Sequence, residues 1–255
     1  MKVHQLIFSP TGGTKRVSGY LAAGMRTACG DGEVVDLCVN PAQLSLPHLA
    51  ENDIAVIAMP VFAGRVPAWA IERLRQVESN HARCVVVAVY GNRAYDDALL
   101  ELHDVATALG FRVIAAVGAV AEHSIIRQYG QGRPDAEDGE VLQAFGVRIA
   151  QKAVNGDETV PVVPGNHPYK KPMEGPHPTA NRHCDACGVC AKVCPVGAIS
   201  MNDLKRVDKQ KCISCMKCVA ACPSQARSIG KVMRFLIAQM IKKPCASRKN
   251  NELYL

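Results

Sequence analysis

Eight of the chain's twelve cysteines stand in two identical runs, Cys184-x2-Cys187-x2-Cys190-x3-Cys194-Pro195 and Cys212-x2-Cys215-x2-Cys218-x3-Cys222-Pro223. Three thiolates one short turn apart can hold three corners of a 4Fe-4S cubane while a fourth arrives from a distant segment. In this spacing the fourth cysteine of each run ligates the other cluster. That assigns Cys184, Cys187, Cys190 and Cys222 to one cluster and Cys212, Cys215, Cys218 and Cys194 to a second. A pair of four-cysteine zinc sites is the competing reading. Zinc takes two CxxC pairs separated by a longer loop, not x2-x2-x3 followed by proline. The runs register at a constant offset of 28 positions that extends to Ala198 and Ala226, so the module reads as an internal duplication with pseudo-twofold symmetry. The chemistry this implies is one-electron transfer.

The elements that must position these runs divide at proline. Pro161, Pro164, Pro168, Pro172, Pro176 and Pro178 crowd one stretch that can be neither helix nor central strand, which reads as an extended connector. Before it, apolar strand-like runs at Val3–Phe8, Val34–Leu37, Ile54–Met59, Cys84–Tyr90 and Phe111–Val120 alternate with helical periodicity at Thr14–Ala28, Pro67–Val77, Tyr95–Leu109 and Ala136–Ala153. The β-α alternation argues a doubly wound five-stranded parallel sheet, an α/β fold of order 2-1-3-4-5. Pro67 suits the first turn of its helix, Gly110 follows the end of another, and Val39–Asp53 holds either a short helix or a loop. The expected domains are 1–155, a linker 156–180, a small α+β two-cluster unit 181–228, and a basic helix and tail 229–255.

The first strand runs into Ser9-Pro10-Thr11-Gly12-Gly13-Thr14-Lys15-Arg16 at the mouth of a helix. Helix-terminal amides joined by hydroxyls and freed by glycines make a phosphate cradle at Ser9, Thr11, Gly12, Gly13 and Thr14. The loop lacks G-x-x-x-x-G-K, and no G-x-G-x-x-G follows a strand, which disfavours nucleotide hydrolysis and a Rossmann nicotinamide site. Two further loops belong at the carboxyl ends of strands three and four, beside the switch point of the sheet. They are Met59–Pro67, with Pro60, Val61, Phe62, Ala63 and Gly64, and Tyr90–Asp97, with Gly91, Asn92, Arg93, Tyr95 and Asp96. The first loop resembles the T-x-T-G-x-T phosphate loop of flavodoxins, with Ser9 in place of the first Thr. The other two resemble the P-V-Y-A-G-R-x-P and Y-G-N-R-x-Y-x-D-A loops of flavodoxin-like domains, with Phe62 in place of Tyr.

Over nearly its whole length the chain therefore resembles the flavodoxin/ferredoxin fusion family, a flavodoxin-like domain followed by a ferredoxin-like two-cluster domain. The resemblance implies FMN, low-potential electron transfer and an anaerobic host. Phe62 or Tyr95 would stack on the flavin or pack in the core, and Arg65 and Arg93 would lie near the ring or in solvent. Trp69 reads as a core anchor and His123, after strand five, as part of a polar turn. No catalytic constellation stands out. Cys29, Cys38, Cys84 and Cys245 read as inert thiols.

Composition closes off other classes. The formal charge of +7 counts thiols as neutral; two clusters and a flavin phosphate bring the loaded chain to about +1, and no nucleic-acid motif is present. No apolar run spans a bilayer, no secretory signal opens the chain, and cluster thiolates need a reducing compartment, so the cytoplasm is expected. From Ile229 to Ile241 the pattern is an amphipathic basic helix, whose apolar face is expected to pack on the protein body instead of a membrane; the polar tail after Pro244 frames a docking contact or frays. The expected function is an electron carrier serving a redox protein, oligomeric state open. A flavin-dependent reductase of a small substrate and a redox sensor are the alternatives.

Overall fold

The structure, a computed structural model, describes the backbone of residues 1–255 and every side chain except that of Ala42. Strands β1 (Lys2–Ile7), β2 (Gly30–Asp36), β3 (Ile54–Pro60), β4 (Arg83–Tyr90) and β5 (Arg112–Val120) form a parallel sheet of order β2-β1-β3-β4-β5, as the β-α alternation anticipates. Helices α1 (Gly13–Met25), α2 (Ala68–Leu74), α3 (Ala98–Ala108) and α4 (Ala136–Val154) make the crossovers. Continuous Val/Ile/Ala runs suit strands covered on both faces: β3 is buried at every position. Its side chains alternate between two cores. Ala55, Ile57 and Met59 pack with α2 and α3, whereas Ile54, Val56 and Ala58 pack with α1 and α4. Trp69 is half-buried against the first of these cores.

Boundaries shift where tertiary pairing overrides local preference. β2 begins at Gly30, well before the expected Val34, because β1 pairs Lys2 with Gly30 and Val3 with Asp31. Pro67 caps α2 instead of opening its first turn, and within Val39–Asp53 only Pro41–Gln43 is helical, as a 3-10 turn. A capping box between Asp135 and Asp138 starts α4.

The proline-rich connector is extended but docked. Asp97 accepts from the Asn166 and Lys170 amides at 2.9 and 2.6 Å, and Tyr169 donates to Asp104 at 2.5 Å. Beyond it, β6 (Thr179–Ala180) pairs antiparallel with β7 (Arg227–Ser228), enclosing the one-turn helices α5 (Val189–Lys192) and α6 (Lys217–Ala220).

The C-terminal region departs from expectation twice. Helix α7 (Lys231–Ile241) rests on Ile125, Ile126 and Tyr129 through Ile237, Ala238 and Ile241 only. Val232, Met233, Phe235, Leu236 and Met240 stay exposed, so the expected packing of the whole apolar face on the body is corrected. The tail, for its part, does not fray: β8 (Glu252–Tyr254) adds antiparallel to β5 as a sixth strand. Among the described residues no helix is long and apolar enough to cross a membrane.

Candidate functional site

The two cysteine runs fold as duplicates in detail. Left-handed backbone recurs at the common offset: Ala186 with Ser214, Gly188 with Met216, Gly197 with Gln225. Non-glycine residues adopt this conformation at a cost, and a run of such turns bends successive amides toward one concave side. The amides of Ala198 and Ala226 donate to Cys194 Sγ and Cys222 Sγ, each at 3.3 Å. Cys194, Cys212, Cys215 and Cys218 together line one small cavity. Burial pushes the Cys215 thiol up to about 12 and Cys218 to about 11, while Cys222 is lowered: hydrogen bonds from Ser224 and from nearby amides outweigh its burial. Thiolates at the buried positions therefore need a compensating positive charge. Among the described residues no three His, Cys, Asp or Glu side chains converge where a single ion could sit.

Sequence reasoning passes over Arg227. It is buried, donates to the Leu204 and Pro178 carbonyls at 2.5 and 3.2 Å, and approaches Cys190 Sγ at 3.5 Å. Only the offset that pairs it with Ile199 sets it apart in the sequence, and an arginine in a two-residue strand carries no local signal.

The three loops follow the carboxyl ends of β1, β3 and β4, which are neighbours in the sheet. Gly12 has φ of 91°, ending the first loop where α1 begins. Ser9 Oγ accepts from Lys15 N at 2.9 Å, which leaves its own O–H free to donate. The amides of Gly13 and Thr14 start the helix without intrahelical acceptors, and the buried Thr14 makes no side-chain hydrogen bond to the protein. This donor set fits a phosphate.

At the ends of β3 and β4 lies a cavity of about 1160 Å³. Val61, Phe62, Ala63, Gly64, Tyr90, Gly91 and Arg93 form one wall; Ser9, Thr11, Gly12, Gly13, Thr14, Pro60, Asn92, Tyr95 and Asp96 lie off it. Gly64, at φ 89°, has no Cβ to collide with the Asp96 carboxylate, which can then bridge Arg93 and Lys170. Arg65 is held by a bidentate pair with Glu101 and by the Lys170 carbonyl, so its charge is engaged in the scaffold. Asn92 is buried and donates to the Cys245 and Ser247 carbonyls at 3.1 and 3.0 Å. Tyr95 meets Tyr90 edge-on and ties its hydroxyl to Glu252 and Tyr254. Asn92 and Tyr95 thus brace the tail with their side chains.

The opposite wall is not foreshadowed by any motif. It comprises Met173–His177 of the connector, Ile213 and Ser214 of the second cysteine run, and Met233, Ile237, Met240 and Ile241 of α7. His123 closes the end. Its Nδ1 accepts from the Ile125 and Ile126 amides, both at 3.1 Å, so the ring is neutral with its proton on Nε2, which has no protein partner. Burial lowers its pKa to about 4. Because the unfolded chain binds this proton more readily, stability is complete above about pH 6.5 and is lost as pH falls toward 4, by about 3 kcal/mol. Denaturant unfolding followed by circular dichroism should show this slope in the parent and a flatter one in His123→Asn, whose amide oxygen keeps the acceptor; equal slopes would mean the ring titrates normally.

A model of 4Fe-4S dicluster domains matches residues 183–226. The chain is 46 % identical over 52 residues to a putative iron-sulfur subunit of dimethyl sulfoxide reductase from Halobacterium salinarum, covering 20 % of each chain. It is 46 % identical over 44 residues to a subunit of an ion-translocating oxidoreductase complex from Methanosarcina acetivorans, covering 17 % of each. The chain thus spans a fifth or less of the length of these curated relatives. A solved archaeal flavodoxin aligns with 60 % of this chain and 99 % of its own, at 15 % identity and a TM-score of 0.45. Residues 183–226 form a 4Fe-4S cluster-binding domain, and the order β2-β1-β3-β4-β5 is that of flavodoxins. Together they give a flavodoxin-like sheet followed by a 4Fe-4S cluster-binding domain.

Proposed function

We propose that the chain carries low-potential electrons between two 4Fe-4S clusters and FMN, and exchanges them with a redox protein. Cys184, Cys187, Cys190 and Cys222 hold one cluster, Cys212, Cys215, Cys218 and Cys194 the other, and the Ser9–Thr14 loop holds the flavin phosphate with the ring in the cavity. Cubanes supply single electrons and FMN one or two, so the pair can store or pair them. The observation that carries this reading is the shared wall: Ile213 and Ser214, inside the second cysteine run, line the same cavity as Val61–Gly64 and Tyr90–Gly91. The second-run cluster then neighbours the flavin, while the first-run cluster, with Cys187 exposed, faces outside donors. A tie from the second run to the α/β unit supports this order: Lys217 Nζ donates to the Cys38 carbonyl at 2.7 Å. The oxidoreductase complexes to which its relatives belong support a protein partner.

Anaerobic rapid mixing with a reduced ferredoxin-type donor tests the proposal: clusters should be reduced before the flavin, and NADH alone should leave the flavin oxidised. Thr14→Ala should weaken FMN binding roughly ten- to a hundredfold, since a hydroxyl is lost from a charged group. Unchanged affinity would reduce the loop to a helix cap. A second reading, reduction of a small substrate at the flavin, draws on the cavity's size and the free His123 Nε2 on its wall. Rapid flavin reduction by NADH with turnover of an acceptor would favour it.

A further inference from the structure

Helix α7 turns its inner residues to the protein and leaves a second apolar face bare. Val232 is 75 % exposed, Phe235 61 %, Leu236 56 % and Met240 66 %. Val232, Leu236 and Met240 follow one another at four-residue spacing, so they stand in a row, with Phe235 beside it. Exposed apolar residues scattered singly need no explanation, but four on one short helix do. The helix is fixed in place: Tyr129 donates to the Ala238 carbonyl at 3.0 Å, and Ile241 and Cys245 are buried on Ile126. The bare face is therefore presented on a firm support.

Its charge identifies the occupant. Between Ile229 and Asn251 there are six Lys and Arg residues and no Asp or Glu. Lys231, Arg234, Lys242 and Lys243 are exposed and form no ion pair with the described residues. A second copy would set this unneutralised basic face against itself in an isologous contact. A protein partner is read through hydrogen bonds placed among apolar anchors, yet apart from its cations the helix offers only Gln239. Hydrocarbon beneath anionic headgroups asks for neither. We propose that α7 lies in the surface of an anionic bilayer, with Val232, Phe235 and Leu236 in the acyl boundary, Met240 at its edge where it also borders the cavity, and Lys231, Lys242 and Lys243 at the phosphates. At eleven residues it rests on the membrane without crossing it.

The test is sedimentation of the full, cluster-loaded chain with vesicles of phosphatidylcholine alone or mixed equally with phosphatidylglycerol. The parent should bind the mixed vesicles, release in high salt and stay free of the neutral ones. Joint Phe235→Glu and Leu236→Glu replacement, at exposed positions off the cavity wall, should weaken binding at least about tenfold. Joint Lys242→Gln and Lys243→Gln replacement should weaken it roughly thirtyfold. Unchanged cluster absorbance in both variants shows that the fold is intact. Failure of the parent to sediment, equal binding to both vesicles, or a dimer in solution that the glutamates dissociate without any vesicle binding would overturn the proposal.

Discussion

Cys194→Ala is expected to lower the iron content from roughly eight to roughly four per chain, and to do so by emptying the second-run cluster, not its own. Cys194 lines one small cavity with Cys212, Cys215 and Cys218, and its amide donor Ala198 sits in the turn that delivers it there. Iron analysis of paired variants identifies which cluster is lost. Adding Cys215→Ala to Cys194→Ala should remove no further iron, because both changes strike one cluster. Adding Cys187→Ala should strip nearly all of it. The reverse pattern would show each run ligating its own cluster. Cys222→Ala should mirror the effect on the cluster of Cys184, Cys187 and Cys190.

Removing residues 245–255 should destabilise the α/β unit by about 5 kcal/mol, a large part of the 5–15 kcal/mol such proteins possess. The truncation strips partners from groups that are buried in the intact chain. Asn92 loses the Cys245 and Ser247 carbonyls, Val120 N loses the Asn251 side chain, and the buried Arg133 loses the Lys249 carbonyl. Arg133 retains its buried pair with Asp138, but Asp138 forfeits Asn251 at 2.9 Å. The three-residue ladder on β5 goes as well. Arg248→Ala alone, at an exposed ion pair, should cost about 0.5 kcal/mol. A shift in denaturant midpoint no larger for the truncation than for Arg248→Ala would mean that the tail merely decorates the surface.

What is legible in the chain and what is not follows the range of the interactions. The strands buried on both faces announce themselves as apolar runs, and the helices between them fix a parallel order, so β1, β3, β4 and β5 can be read directly, whereas the mostly exposed β2 shows only its end from Val34. The cysteine spacing is equally local. β8 cannot be read, since Glu252-Leu253-Tyr254 has the composition of many surface turns and becomes a strand only by meeting Ala116–Gly118 across more than a hundred residues. The second cavity wall fails for the same reason: Met173–His177, Ile213 and α7 are separate in sequence and meet only in space. Asn92 and Tyr95 stand out through their loop, but the side chains that engage them belong to the tail.

The return of residues 252–254 to β5 changes the mechanics of the cluster unit. A domain on one linker pivots about a single point and samples a wide volume. Here the cluster unit is attached at both ends, by the docked connector at Asn166–Lys170 and by the strand at Glu252–Tyr254, so it is topologically a loop closed on the sheet. Swinging one attachment open leaves the other to hold the separation. Electron passage between the units should accordingly be insensitive to solvent viscosity, and severing either attachment should make it viscosity-dependent.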